Sequence, residues 1–111
     1  LPNCVNSDSG TGGSAIAPLQ ATTEQWQALK RWLAQQGDWT ITVETADFVQ
    51  AVVKTPLMQF RDDVQLAFKQ QAGDIQVRSS SRLGISDMGA NRRRIESLRA
   101  HLASEAAAAA D

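Results

Sequence analysis

The stretch RDDVQLAFKQQAGDIQVR, residues 61–78, alternates apolar and polar side chains on both sides of a glycine. Alternation with a period of two is typical of strands with one buried face, so it predicts antiparallel strands near residues 60–70 and 74–80. Gly73 marks the turn between them, because glycine accepts the positive φ angles that tight hairpin turns require. We therefore expect Val64, Leu66 and Phe68 to point into the core.

A turn centred on Ala72 and Gly73 also predicts how the two strands pair. In that register, residues that face each other across the hairpin lie on the same side of the sheet. The predicted pairs are Phe68 with Val77, Leu66 with Ser79, Ala67 with Arg78, and Asp63 with Arg82. Asp63 and Arg82 are expected to form an ion pair on the polar face, whereas the adjacent Asp62 points to the opposite face.

Two further strands and two helices flank this hairpin in the sequence. Alternation predicts one strand near 39–45, and a segment that is apolar on both faces predicts another near 48–55. Helices are predicted near 23–36, starting with a capping box at 22–25, and near 89–105, with Asp87 as the N-cap. Because every apolar face must be covered, the sequence predicts an α+β two-layer sandwich in the order αββββα, a four-stranded antiparallel meander sheet with two helices on one face.

The two ends of the chain differ in composition from this central region. Residues 1–22 combine glycines with polar residues and few apolar ones, which predicts an extended arm that docks on a partner and contributes little to the core. The alanine-rich tail at 106–111 favours helix but offers little for packing. Between them, residues 23–105 are expected to form a single α+β domain.

The composition excludes several classes of site. A chain of 111 residues suffices for one domain, and a net charge of −1 gives no general electrostatic reason to bind nucleic acid or acidic lipid. One cysteine and one histidine exclude an intrachain disulfide and a Cys/His zinc site. No apolar run is long enough for a membrane span. The chain begins at Leu1 without methionine, which suggests a processed or truncated chain whose targeting segment is missing.

A dense set of charged and polar residues surrounds the loop before the second helix. Arg92, Arg93 and Arg94 fall in the first turns of that helix, where cations oppose the positive end of the helix dipole. Either nearby aspartates or an external anion should offset them, which leaves two interpretations open: an internal network that fixes the loop, or a ligand site. The candidate residues are Asp62, Asp63, Arg78, Ser80, Arg82, Asp87, Asn91 and Arg92.

Few other residues indicate chemistry. The serines at 79–81 lack a nearby base, because the single histidine, His101, lies far along the second helix, where we expect it to be exposed to solvent. We therefore assign no catalytic residue, cofactor or metal. Cys4 and Trp32 are candidate interface residues: Cys4 as a free or partner-facing thiol, and Trp32 because Trp26 is the tryptophan expected in the core.

Several segments resemble the hallmark motifs of one family. They are PNCV at residues 2–5, FRDDV at 60–64, VRSSSRLGISDMG at 77–89 and NRRRIE at 91–96. In these segments the sequence resembles the family called domain of unknown function 1499, and the resemblance extends over nearly the whole chain. The resemblance implies a bacterial, cyanobacterial or plastid protein, often behind a signal peptide, lipoprotein anchor or membrane helix. It implies no established reaction or cofactor.

The sequence favours a protein without catalytic activity. We expect a non-catalytic binding or assembly module, such as an accessory subunit of a membrane-bound, for example photosynthetic, complex. Its partners would be protein subunits of that complex, on the thylakoid or periplasmic side of a membrane that the chain does not itself span. The alternative is a small-anion-binding protein or enzyme that uses the Arg/Ser/Asn loop, where guanidinium groups and helix amides hold a phosphate, carboxylate or sulfate.

Overall fold

The computed structural model describes residues 3–83 and 87–110, and these residues form six strands and two helices. The strands are β1 Cys4–Asn6, β2 Leu19–Gln20, β3 Trp39–Glu44, β4 Phe48–Lys54, β5 Arg61–Lys69 and β6 Asp74–Ser81. The helices are α1 Thr23–Leu33 and α2 Ala90–Ala110, and a short 3-10 turn lies at Gly12–Ser14. The central strands and both helices lie close to their predicted positions, and α2 continues through the alanine run.

The six strands form one sheet with antiparallel strand pairs in the order β1-β6-β5-β4-β3, with β2 also paired to β6. Strands β3 to β6 form the predicted meander. The predicted four-stranded sheet and the order αββββα are nevertheless wrong, because β1 and β2 precede α1 and extend the sheet. These two short strands pair with the edge of β6, which would otherwise present unpaired backbone groups.

The pairing of β5 with β6 differs from the predicted register by two residues. The observed pairs include Phe68 with Ile75, Leu66 with Val77, Ala67 with Gln76, and Asp63 with Ser80. The cause is a longer loop: Gly73, at a φ of 67°, donates its N–H to the Lys69 carbonyl at 2.9 Å. A shift of two residues keeps every side chain on its predicted face, so the apolar residues still point into the core.

One hydrophobic core lies between the sheet and the two helices. Trp26 is fully buried, stacks on Phe68 with ring centroids 5.6 Å apart, and donates its indole N–H to the Ala46 carbonyl at 2.8 Å. The predicted capping box is present, because Thr22 Oγ1 accepts from the Gln25 N–H and Gln25 Oε1 accepts from the Thr22 N–H. The rest of the apolar core comprises Val5, Ile16, Leu19, Ala21, Leu29, Leu33, Val49, Ala51, Val53, Val64, Leu66, Ile75, Val77, Ile95, Leu98 and Leu102.

The N-terminal segment contributes to this core, which corrects the expectation that the arm adds little to it. The exposed fractions of Val5, Ile16 and Leu19 are 3%, 8% and 0%. Pairing of β1 and β2 with β6 supplies the backbone order that the sparse apolar content alone would not. Removing these residues would therefore open the core and expose the edge of β6.

Candidate functional site

A buried ion pair joins the sheet to the first turns of α2. β5 carries Asp62 on its inner face, and Arg94 Nη2 donates to Asp62 Oδ2 at 2.7 Å. This carboxylate is an internal counter-charge for a cation near the helix N-terminus. The two side chains are only 1% and 12% exposed, so removal of either partner would leave the other as a buried, unpaired charge.

Asn91 lies at the centre of the contacts around this pair and is fully buried. Its amide nitrogen donates to the Asn3 carbonyl at 3.0 Å, Ser81 Oγ at 2.9 Å and Asp87 Oδ2 at 2.7 Å. Its amide oxygen accepts from Ser79 Oγ at 2.7 Å and Arg94 Nη1 at 2.8 Å. One side chain thus ties α2 to β6, to the residue before β1 and to the end of the loop. We call Asp62, Ser79, Ser81, Asp87, Asn91 and Arg94 the buried polar cluster.

Asp87 supports the start of α2 from a different position than predicted. It lies three residues before Ala90, the first residue of the helix, so it does not directly precede the helix as an N-cap would. Its Oδ1 accepts from the Gly89 N–H at 2.7 Å, and its backbone carbonyl accepts from the Ala90 N–H at 3.0 Å. Residues 84–86 of the preceding loop lie outside the described residues.

The outer face of the sheet carries a second, exposed group of candidates. Arg82 Nε and Nη2 donate to the two carboxylate oxygens of Asp63 at 3.1 and 3.0 Å, so the predicted ion pair is present. The hydrogen bonds that Arg82 donates to Asp63, followed by the negative charge of that carboxylate, raise the pKa of Arg82. Both side chains are about half exposed, so the pair should stabilise the fold only weakly. Arg78 Nη1 lies 3.5 Å from Ser80 Oγ on the same face.

Two arginines of α2 hold the segment between the 3-10 turn and β2. Arg92 donates to the carbonyls of Gly13 and Ala15 at 3.0 and 2.6 Å. Arg99 donates to the carbonyls of Pro18 and Ala17, both at 2.8 Å. Arg99 also bonds Glu96 at 2.8 Å, and this hydrogen bond lowers the pKa of the Glu96 carboxyl. The cations of α2 therefore fix the N-terminal segment to the domain.

The structure separates the eight polar candidates into three groups. Asp62, Asp87 and Asn91 belong to the buried polar cluster, Asp63, Arg78, Ser80 and Arg82 lie on the outer face, and Arg92 contacts the N-terminal segment. Ser79, Ser81 and Arg94 were missed as site residues. Strand alternation places Ser79 and Ser81 on the face of Val77, but the position of Arg94 depends on how α2 packs on the sheet.

The candidate interface residues lie in two different settings. Cys4 is a half-buried free thiol in β1, and its Sγ lies 3.7 Å from the Val5 carbonyl. Trp32 is half-buried and stacks on His101, with ring centroids 3.8 Å and planes 17° apart. The expectation that His101 is exposed to solvent is wrong, because its side chain is only 19% exposed beneath this ring.

An apolar turn projects from the sheet between β4 and β5, at residues 55–60. Leu57 is 92% exposed and Met58 is 68% exposed. The turn is closed by a hydrogen bond from the Thr55 N–H to the Phe60 carbonyl at 2.8 Å and one from the Phe60 N–H to Thr55 Oγ1 at 2.9 Å. The sequence analysis missed this feature, although three apolar residues within a hairpin turn, where polar residues prevail, could have revealed it.

A groove of about 750 Å³ lies beside this turn, and we call it the apolar groove. Its walls come from the end of α1, the ends of β3 and β4, the apolar turn and one side of α2. The apolar lining residues are Trp32, Trp39, Val53, Pro56, Leu57, Met58, Phe60, Met88, Ala90 and Leu98. Exposed charges along it are Asp38, Lys54 and Arg93. Such a surface suits an apolar ligand or protein segment better than a charged metabolite.

Across residues 3–83 and 87–110, no three histidine, cysteine or acidic residues come together as a metal site. In the same residues, neither helix combines the length and the apolar character that crossing a membrane requires.

Comparisons with known proteins give one match. The model of the family described as "Protein of unknown function (DUF1499)" matches residues 1–102. That range includes all six strands, α1 and the part of α2 that carries the buried polar cluster. Comparison with curated proteins and with solved structures gives no match.

Proposed function

We propose that this chain, a member of the protein family of unknown function DUF1499, is a non-catalytic binding module that attaches to a protein subunit of a membrane-bound complex. We place this attachment on the thylakoid or periplasmic side of the membrane. The observation that carries the proposal is the apolar groove, where Trp39 and Phe60 remain accessible beside the apolar turn. Contiguous apolar surface of this kind is uncommon on monomeric proteins and marks interaction sites.

The lining of the groove indicates the chemistry of its partner. The groove is mainly apolar, and its exposed charges are two cations, Lys54 and Arg93, and one anion, Asp38. Tryptophan, phenylalanine and arginine are enriched at protein interfaces, because they combine a large apolar area with a polar contact. We therefore expect the partner to insert a segment with apolar side chains and at least one carboxylate.

The contacts of the buried polar cluster support a structural role for the arginines near the start of α2, which the sequence offered as possible ligand-binding residues. Arg94 is bonded to Asp62, Ser79 and Asn91, and Arg93 donates to the Met88 carbonyl at 2.8 Å. A guanidinium group that already has internal acceptors would have to break them to bind an external ligand. Contacts of this kind fix a loop in one shape.

The alternative, a small-anion-binding protein or enzyme, has less support from the same region. The small cavity beside the cluster, about 110 Å³, is lined by the carboxylates of Asp62 and Asp87. An anion placed there would meet two like charges, which oppose its binding. Measurable binding of inorganic phosphate or sulfate that disappears in Arg92→Ala would reverse this preference.

The test uses two residues of equal exposure at different places. Phe60 is 41% exposed in the groove. Val43 is 42% exposed on β3, where that strand pairs with the end of β4 that is distant from the groove. The tagged full chain is purified from native membranes, the subunit recovered at fixed stoichiometry is identified, and its Kd for the purified chain is measured. Phe60→Ser should raise that Kd by about tenfold or more, a typical loss at an interface anchor.

A second test variant and one control complete this experiment. Arg93→Glu should weaken binding as well, because it replaces a cation by an anion beside the expected carboxylate. Val43→Thr should leave the Kd unchanged. If Phe60→Ser and Val43→Thr both bind like the wild-type chain, the groove is not the contact surface and the proposal is wrong.

A further inference from the structure

We infer that the apolar turn inserts into the headgroup layer of an anionic lipid bilayer. This inference goes beyond the groove and its protein partner, because it assigns Leu57 and Met58 a second contact with the lipid itself. It rests on the proposed function only in that both contacts would be made at a membrane surface. The two contacts share Leu57, Met58 and Lys54, which also line the groove, but Phe60 and Arg93 belong to the groove and Arg61 does not, so the contacts can be tested separately.

The first observation is the position of the apolar side chains. Leu57 and Met58 are largely exposed, at 92% and 68%, and Phe60 is 41% exposed. The backbone beneath them is held by the closing hydrogen bonds between Thr55 and Phe60, and Gln59 adopts a left-handed conformation with φ of 57°. The apolar side chains therefore stand on a formed turn, so their insertion requires little additional ordering of the backbone.

The second observation is the charge at the base of the same turn. Lys54 and Arg61 lie directly opposite each other where β4 ends and β5 begins, and both are exposed. Arg82 is next to them, because its backbone N–H donates to the Arg61 carbonyl at 3.3 Å, but its guanidinium is paired with Asp63 and adds no unpaired charge. Residues 54–61 contain these two cations and no acidic residue. Although the whole chain has a net charge of −1, residues 54–61 have a net positive charge.

Together these features match the requirements of a bilayer surface. Apolar side chains at the tip reach the boundary between headgroups and acyl chains, while cations behind them reach the lipid phosphates. A negatively charged leaflet attracts each such cation and also orients the turn towards the lipid. A protein segment in the groove would meet the apolar tip and Lys54 as well, but Arg61 does not line the groove, so that contact does not use the cation on β5. Charge complementarity therefore favours anionic lipid as the occupant.

The experiment measures partition of the purified full chain onto vesicles, by sedimentation. One set of vesicles is phosphatidylcholine alone, and the other contains a substantial fraction of phosphatidylglycerol. The variants are Leu57→Ser with Met58→Ser for the tip and Lys54→Gln with Arg61→Gln for the base. Val43→Thr is again the control, because it changes an exposed apolar residue at a distance from the turn. Melting temperatures verify that all variants fold.

The expected result is binding to the anionic vesicles that weakens as salt is added. The tip variant should lower the partition coefficient by about tenfold or more on anionic vesicles, because two apolar side chains no longer enter the lipid. The base variant should reduce binding to anionic vesicles towards the level on neutral ones. Val43→Thr should bind like the wild-type chain.

Three results would overturn the inference. They are a wild-type chain that sediments with neither kind of vesicle, a tip variant that binds as well as the wild type, and a control variant that loses binding equally. If vesicles are not bound but the tip variant loses the membrane subunit, the turn contacts protein and the lipid assignment is wrong. Failure here leaves the groove proposal intact, since that proposal is decided by Phe60→Ser and the subunit.

Discussion

The buried polar cluster and the apolar turn reverse the usual placement of residue types. Asp62 and Asn91 are ionisable or polar and are almost completely buried, whereas Leu57 and Met58 are apolar and largely exposed. Burial of polar groups is tolerated where they bond one another, and in the cluster Arg94 bonds both Asp62 and Asn91, while Asp62 Oδ1 has no hydrogen-bond partner among the described residues. Exposure of apolar groups has no such internal compensation. The contacts of the cluster therefore stabilise the fold, and the exposed turn and its groove support the proposal that this surface contacts a partner.

The largest loss of stability is expected when one charge is removed from the buried polar cluster. Arg94→Met should destabilise the protein by about 3–5 kcal/mol, because it leaves the Asp62 carboxylate buried and unpaired. Urea unfolding measures the change. Adding Asp62→Asn to Arg94→Met should restore part of the lost stability, since the buried charge is then gone. If Arg94→Met unfolds like the wild type but alters binding to a ligand, the cluster belongs to a site.

A substitution of Asn91 removes hydrogen bonds from the same cluster without removing a charge. Asn91→Ala should cost about 1–3 kcal/mol, because buried donors and acceptors lose their partner. Amide hydrogen exchange should also accelerate at Gly89 and Ala90, where the helix begins. Unchanged exchange at these amides would show that the start of α2 does not depend on the cluster.

The exposed pair of Asp63 and Arg82 should matter much less than the buried pair. A double-mutant cycle on Asp63→Ala and Arg82→Ala should give a coupling energy of at most about 1 kcal/mol, because solvent and side-chain entropy weaken surface ion pairs. The coupling should decrease further at high salt. A coupling as large as that between Asp62 and Arg94 would contradict the distinction between the two faces of the sheet.

The smallest effect on stability is expected at the apolar turn. Leu57→Ser with Met58→Ser should change the free energy of unfolding by no more than about 0.5 kcal/mol, because both side chains are exposed and contribute little to the core. Thermal and urea unfolding would both measure it. A large loss of stability would mean that the turn stabilises the domain, and its exposure would then have another explanation.

The fold was predictable where local patterns determine it. Alternation around Leu66 and Phe68 identified the inner face of the hairpin, and the capping box at Thr22 identified the start of α1. The register was not predictable in the same way, because the loop that ends at Gly73 is longer than a two-residue turn. The roles of Val5 and Leu19 depend on the free edge of β6, which no local pattern in residues 1–22 reveals.

The candidate site was predictable in composition but not in arrangement. The sequence indicated that the arginines after Asp87 need internal carboxylates or an external anion, and Arg94 is paired with Asp62. It did not separate Asp62 from Asp63 by function, although it placed them on opposite faces. The groove could not be predicted from the sequence, because Trp39, Phe60 and Leu98 come together only when α2 packs on the sheet.

The most direct test of the apolar groove as a contact surface compares the affinities of the Phe60→Ser and wild-type chains for the recovered membrane subunit. The melting temperature is measured on the same samples. If the groove is the contact surface, Phe60→Ser leaves the melting temperature unchanged and raises the Kd by about tenfold or more. An unchanged Kd in the correctly folded variant would contradict the assignment of the groove as the contact surface.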